Sequence, residues 1–132
     1  MSSAPTFAAH QQTLREQLAV LLDSLAPSLQ TDVRTALEGE SKLLCTTEAE
    51  VLPSGVWPLL TLLLSQYLAP EIDLTLARSV AVALECCVCA IDLLDDVMDE
   101  DQTPTLLALG IPRALSTCDA LRALSFQSLL LR

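Results

Sequence analysis

The chain has 132 residues, a length that suits one folded domain, and its formal net charge is −10. Hydrophobic residues make up 52% of the sequence and aromatic residues 3%, a mixture that favours helices packed through aliphatic side chains. Seventeen acidic residues against seven Lys and Arg argue against binding to nucleic acid or to an anionic membrane surface, because both are recognised through basic side chains.

The first half of the chain predicts three helices from the spacing of its apolar residues. A first helix is expected over residues 6–25, and a second begins near Ser28, a candidate N-cap, and stops near Gly39. A third is expected over residues 57–68, with Pro58 in its first turn.

The second half predicts two longer helices. Asp73 is a good N-cap for a helix over residues 74–98, and a Gly-Ile-Pro break (110–112) precedes a last helix over residues 113–131. No segment has the pattern of a strand. We therefore predict an all-α helical bundle of about five helices, with residues 1–132 forming a single domain. Among single residues, Trp57 and Tyr67 are expected to be packing residues, and His10 is expected on the surface.

The chain begins with no basic segment followed by an apolar core, so no secretion signal is visible. The longest apolar run carries Arg78, Glu85 and Asp92 at internal positions, which is wrong for a membrane span. The odd number of cysteines fits a reducing compartment, and we predict a cytoplasmic protein. Cys86 and Cys89 share a helical face, where a metal site is conceivable, but we favour their role as small buried hydrophobes.

The densest cluster of charge is segment 92–101, which holds six of the seventeen acidic residues. In a helix, Asp92, Asp95, Asp96 and Asp99 stand at i, i+3, i+4 and i+7, and therefore on one face. Like charges at these spacings repel by roughly 0.2–0.5 kcal/mol per pair, and carboxylates at the end of a helix also oppose its dipole. A cation would relieve this repulsion, and oxygen ligands select hard ions such as Mg²⁺.

Three segments carry a resemblance to a known protein family. Residues 94–101 (L-D-D-V-M-D-E-D) contain a DDxxD motif. Residues 58–63 (P-L-L-T-L-L) are similar to an R-P-L-L-T-L-L segment, and residues 114–126 (A-L-S-T-C-D-A-L-R-A-L-S-F) to an A-V-L-A-G-D-A-L-L-A-L-A-F helix. From about Leu52 onward, the chain thus resembles the N-terminal part of the trans-polyprenyl diphosphate synthases.

The resemblance implies a partial isoprenoid-synthase-like fold and a transferase of prenyl groups in isoprenoid biosynthesis. In the family, the DDxxD carboxylates hold Mg²⁺ ions that bind the diphosphate of an allylic prenyl substrate. Carried over residue by residue, Asp95, Asp96 and Asp99 are the expected Mg²⁺ ligands and bind the substrate diphosphate through the metal. Asp92 is expected in an outer position at most. Glu85 either lines the same interior or is a buried, paired carboxylate.

Several features of the family are missing. Residues 53–58 replace its basic G-K-R-L-R-P segment, which binds isopentenyl diphosphate, and contain no Lys or Arg. The Arg-Arg pair after DDxxD and the second aspartate-rich motif are absent from the sequence. Three functions stay open. We prefer an incomplete prenyl-transferring enzyme; the alternatives are a class I terpene synthase-like enzyme using one prenyl diphosphate, and a non-catalytic helical partner subunit of a synthase.

The resemblance also implies association, since family members are commonly homodimers. The pattern of the last helix predicts an apolar face that nothing in the chain covers, formed by Leu121, Leu124, Ser125, Ser128 and Leu131. We therefore expect the chain to form a homodimer or to pair with a fuller synthase.

Overall fold

The computed structural model describes residues 6–46 and 53–130, and within these ranges all regular structure is helical. The all-α prediction, with its five helices, is confirmed. In chain order the helices are α1 (Phe7–Leu22), α2 (Pro27–Leu37), α3 (Val56–Leu68), α4 (Leu74–Met98) and α5 (Pro104–Leu130).

Two helix starts follow the usual N-cap chemistry. The Thr6 hydroxyl accepts a hydrogen bond from the backbone N–H of Ala9, and the Asp73 carboxylate accepts one from Thr75 at 2.9 Å, as predicted for α4. The prediction of Ser28 as a cap is wrong. Helix α2 begins at Pro27, two residues earlier than a cap at Ser28 predicts, because a proline in the first turn lacks an N–H that would have no helical partner there.

The break predicted at residues 110–112 is present within the element α5. Gly110 has φ 74° and ψ 163°, a conformation outside the helical region, and Pro112 follows it. Because glycine tolerates positive φ and proline removes a backbone donor, two helical segments meet here at a kink. The segment after the kink corresponds to the predicted last helix, and the segment before it extends α5 back to Pro104, which was predicted as loop.

Helix α4 is the central helix, since it packs against all four others. Its pairing with α5 is the most extensive in the fold and includes hydrogen bonds from small side chains of α5 to carbonyls of α4. Ser125 donates to Ala83 at 2.8 Å, and Ser128 donates to the carbonyl of Ser79 at 2.9 Å. Small residues allow this close approach of two helix backbones.

This pairing overturns the predicted uncovered face of the last helix. Leu121, Leu124 and Ser128 are buried, and Ser125 is half-buried against α4; Leu131 lies outside the described residues. The face that the sequence pattern left without a cover is therefore the face that packs on α4.

Three single-residue predictions are also wrong. His10 is buried, because it continues the stripe of Leu14, Leu18 and Leu22 along the packed side of α1. Its pKa is lowered by burial and by the charge of Arg78. Trp57 and Tyr67, expected to pack, are exposed.

Helix α4 is long and apolar enough to cross a membrane by length and composition, with a mean hydropathy of 1.9 over its most apolar window. Half of that window is buried inside the protein, and the central helix of a soluble bundle has the same properties. The absence of a membrane span stays a prediction.

Candidate metal and diphosphate site

The three carboxylates predicted to bind Mg²⁺ lie at the C-terminal end of α4. Asp95 and Asp99 are exposed and Asp96 is half-buried. The carboxylate of Asp96 accepts a hydrogen bond from the Thr103 hydroxyl at 3.2 Å, and the same hydroxyl accepts the backbone N–H of Leu106 at the start of α5. Asp96 thus ties the acidic end of α4 to the first turn of α5.

The backbone at this end is closed by two hydrogen bonds beyond the last helical turn. The N–H of Asp101 donates to the carbonyl of Asp96 at 3.0 Å, and that of Glu100 donates to Val97 at 3.4 Å. This is the Schellman arrangement, which needs a left-handed residue after the helix. Glu100 fills that place with φ 56°, where glycine is the usual residue.

Asp92 does not share the environment of the other three. Its carboxylate lies 2.6 Å from the Nζ atom of Lys42, in the turn that follows α2. The Lys42 side chain is only 15% exposed, whereas that of Asp92 is 52% exposed. The innermost carboxylate of the acidic face is therefore already paired with a cation of the chain.

Glu85 lies two helical turns before Asp92 on α4, and its side chain binds the backbone of the segment that follows α2. Glu85 is 2% exposed and accepts the N–H of Leu43 at 3.0 Å. The carbonyl of Leu43 in turn accepts Nε of Arg15, from α1, at 2.8 Å. Of the two interpretations of Glu85, the structure favours the buried, paired carboxylate.

The two interior charges have shifted pKa values. Burial lowers the pKa of Lys42, but the hydrogen bond and the charge of Asp92 outweigh burial, so the pKa is raised overall. Burial raises the pKa of Glu85, and the Leu43 N–H and the Lys42 charge offset this only in part. Lys42 is therefore a fixed cation at pH 7.

The carboxylates at the end of α4 do not by themselves form a metal-binding group. Within the described parts of the chain, no group of three His, Cys, Asp or Glu side chains is arranged to hold a metal ion. Mg²⁺ often binds through only one or two carboxylates plus substrate phosphates and water, and Asp95 and Asp99 offer two exposed carboxylates one turn apart. The described residues therefore lack the ligands of a dedicated metal cage, and the binding of Mg²⁺ stays a prediction.

Cys86 and Cys89 behave as the hydrophobic interpretation expects. Both are buried, and burial raises the pKa of Cys86 to about 12 and that of Cys89 still further. A metal ligand must be a thiolate, so these raised pKa values oppose metal binding.

Sequence reasoning missed Lys42 and Arg15, the two cations that hold the turn after α2. Both contacts span more than two dozen residues of sequence, and no periodic pattern links the partners. Composition alone could have indicated an ion pair for Lys42, because it is the only lysine in a chain with seventeen acidic residues.

The chain was compared with protein families, with curated proteins and with solved structures. No protein-family model matches the chain, and no curated protein or solved structure matches it significantly.

Proposed function

We propose that the chain is a prenyltransferase-like protein that binds an allylic prenyl diphosphate through Mg²⁺ held by Asp95, Asp96 and Asp99. The observation that carries the proposal is the placement of Asp95 and Asp99, exposed and one turn apart at an ordered helix end. The DDxxD motif and the two flanking segments that resemble the polyprenyl synthases supply the class of ligand.

The charge of the site explains why metal and diphosphate would bind together. Three carboxylates and a diphosphate repel each other, and Mg²⁺ placed between them neutralises both and supplies electrostatic stabilisation of the departing diphosphate. Asp96 accepts a hydrogen bond from the Thr103 hydroxyl through one carboxylate oxygen, which restricts its side chain at the end of α4 that also carries Asp99.

The basic residues of the chain limit what the site does. Lys42 is paired with Asp92, and Arg113 is paired with Asp32 through a 3.2 Å hydrogen bond from Nε. Because a second diphosphate is bound through Lys or Arg side chains and residues 53–58 contain neither, we expect no efficient chain elongation by this chain alone. The same observation favours the alternative of an enzyme that uses a single prenyl diphosphate, or of a non-catalytic partner subunit.

The association predicted from sequence, with a second copy or with a fuller synthase, remains part of this proposal. Cytoplasmic location remains a prediction.

Thermal unfolding with and without ligands tests the site. We expect an allylic prenyl diphosphate to raise the melting temperature only when Mg²⁺ is present, since a ligand that binds the folded state stabilises it. Asp95→Asn should abolish this rise. Glu71→Gln, an equal charge change at the opposite end of α4, should keep it. An equal rise in both variants would overturn the proposal.

A further inference from the structure

Helix α4 carries an apolar row that stays accessible to solvent within the described parts of the chain. Its members are separated alternately by four and three residues, so each position recurs seven residues later, which is the spacing of helices that pack on one another. Exposure reaches 54% at Ile91 and 71% at Met98. We call this the α4 row; it consists of Val80, Leu84, Cys87, Ile91, Leu94 and Met98.

Helix α5 carries a second accessible row. Its apolar members are between 39% and 65% exposed and lie within about 60° of one another around the helix. Arg122 lies among them, and its guanidinium is 3.6 Å from the carboxylate of Asp119. We call this the α5 row; its apolar members are Ile111, Leu115, Phe126 and Leu129.

Both rows lie on the same side of the α4–α5 pair. The hydrogen bonds of Ser125 and Ser128 to successively earlier carbonyls of α4 show that the two helices are antiparallel and in close contact. On α5, the row lies opposite to Arg113, which binds α2. On α4, the row lies opposite to Val82, which faces α1. The two rows therefore line one shallow groove on the side of the pair away from α1 and α2.

The groove is large for a monomer. If each free side chain offers roughly 150–200 Å², its exposed apolar members leave on the order of 700 Å² uncovered, more than the roughly 300–600 Å² of the largest apolar patch on a typical monomer. A stable interface buries about 800 Å² on each partner. The groove offers this area once the half-buried Leu84 and Cys87 and the side chain of Arg122 are included.

The rim of the groove is acidic. Asp95 follows Leu94 and Asp99 follows Met98, one position around the helix, so both exposed carboxylates border the α4 row. Among the described residues, neither aspartate forms an ion pair with Lys or Arg. On the other edge, the exposed Asp119 offsets the single cation, Arg122. A partner that places apolar side chains in the groove is therefore favoured if Lys or Arg flank them.

We propose that the groove between the α4 and α5 rows binds one basic amphipathic helix of a partner protein. The seven-residue repeat of the α4 row selects a helix, because side chains at this spacing interlock with those of a facing helix. The acidic rim selects a helix whose apolar stripe is flanked by Lys or Arg. The inference does not depend on binding of Mg²⁺ or of a prenyl diphosphate.

A second copy and a lipid surface are the competing occupants. A second copy has seventeen acidic residues against seven Lys and Arg, and it would place like charges along the rim. A helix that lies in a lipid interface usually has Lys and Arg on its polar side, whereas Asp95 and Asp99 flank the α4 row. Both observations favour a basic helix.

The test is fluorescence anisotropy of a labelled synthetic helix that is titrated with the protein. The probe has about three heptads with Leu at the a and d positions and Lys at the e and g positions. One comparison peptide has Glu in place of Lys, and another has the composition of the probe in an order without the seven-residue repeat. Reducing agent and a metal chelator are present throughout, so that neither disulfides nor Mg²⁺ take part.

Two variants of the protein locate the contact. Ile91→Gln removes apolar surface from the middle of the α4 row, where the native side chain is 54% exposed. Tyr67→Gln makes the same kind of change on α3, where the native side chain is 81% exposed. Neither variant changes the charge, and circular dichroism verifies that both stay helical.

We expect the basic helix to bind at least about tenfold more tightly than either comparison peptide. Ile91→Gln should weaken its binding at least about tenfold, and Tyr67→Gln should leave Kd unchanged. Added salt should weaken binding by screening the rim.

Absence of binding, or equal affinity for either comparison peptide, would overturn the inference, and so would equal weakening by the two variants. Two further results would assign the groove to another occupant and overturn it as well. One is a wild-type dimer in sedimentation equilibrium that Ile91→Gln dissociates, and the other is binding to lipid vesicles that Ile91→Gln removes.

Discussion

Lys42 and Asp92 lie fifty residues apart in the sequence, and their charged atoms lie 2.6 Å apart in the structure. Lys42 comes from the turn after α2, and Asp92 comes from the last third of α4. Because Glu85, on the same side of α4, binds the backbone of the next residue, Leu43, the turn is held by two carboxylates of one helix. Among the described residues, Asp92 is thus the one aspartate on this face of α4 that forms an ion pair with Lys or Arg.

A double-mutant cycle with Lys42→Met and Asp92→Asn should give a coupling free energy of about 0.5–1 kcal/mol in urea denaturation. The value stays modest because solvent reaches half of Asp92. Arg122 and Asp119, at 3.6 Å and largely exposed, form the matched pair and should couple near zero. Additive effects of Lys42→Met and Asp92→Asn would contradict the ion pair.

The contribution of Glu85 to the free energy of unfolding should fall as the pH rises from about 4.3, the ordinary pKa of a glutamate. Burial raises the pKa of Glu85 in the folded chain, so over this interval the folded state keeps a proton that the unfolded state has released. Glu85→Gln keeps an oxygen to accept the Leu43 N–H and should remove this part of the slope. Denaturant unfolding over a pH series measures it, and an unchanged slope in Glu85→Gln would count against the buried carboxylate.

Asp32 contributes in the opposite direction and at lower pH. The hydrogen bond from Arg113 lowers its pKa, so its contribution to stability is complete above its ordinary value and is lost as the pH falls through the lowered one. The two effects therefore separate along the pH axis.

Gly55→Ala should destabilise the chain by about 2–4 kcal/mol. Gly55 has φ 77°, and a Cβ atom there would lie 2.6 Å from Cδ1 and 3.1 Å from Cα of Leu43. Gly110→Ala measures backbone strain without a clash, since no heavy atom lies within 4 Å of a Cβ there; its φ of 74° and ψ of 163° lie in a region that glycine almost alone adopts, so its cost should be about 1–3 kcal/mol. Urea denaturation measures both variants, and a loss of about 1 kcal/mol or less in Gly55→Ala would mean that contact with Leu43 adds nothing to the strain of a left-handed residue.

Glu100→Gly should stabilise the chain by about 1 kcal/mol, because Glu100 occupies a left-handed position with φ 56° after α4. Glu100→Ala removes the same charge and keeps the steric strain, so it separates the two causes. Thermal unfolding compares the variants. If Glu100→Ala stabilises as much as Glu100→Gly, the charge at the helix end is the cause.

The helices could be predicted from sequence because their signals are local. Asp73 and the break at residues 110–112 act on neighbouring residues, and apolar spacing needs only a few turns to become visible. The shared face of the aspartates follows in the same way from helix geometry.

The environment of the site could not be predicted in this way. Lys42 and Asp92 belong to elements whose relative placement depends on tertiary packing, and the turn after α2 has no periodicity. The same limit explains the error on α5, whose Ser125 and Ser128 look like surface residues until their hydroxyl groups find carbonyls of α4. For the same reason, the apolar spacing predicted helix α3 but did not predict which of its sides is exposed to solvent.

The central claim is that Mg²⁺ and a prenyl diphosphate bind together at Asp95, Asp96 and Asp99. Its most direct test is calorimetric titration of the wild-type chain with Mg²⁺, alone, with an allylic prenyl diphosphate, and with the corresponding prenyl alcohol. The heat of Mg²⁺ binding to the free diphosphate is measured in a titration without protein and is subtracted from the titration with protein. The account predicts that the diphosphate raises Mg²⁺ affinity at least about tenfold, that the alcohol does not, and that Mg²⁺ raises the affinity for the diphosphate by the same factor. Equal Mg²⁺ affinity in all three titrations would contradict it.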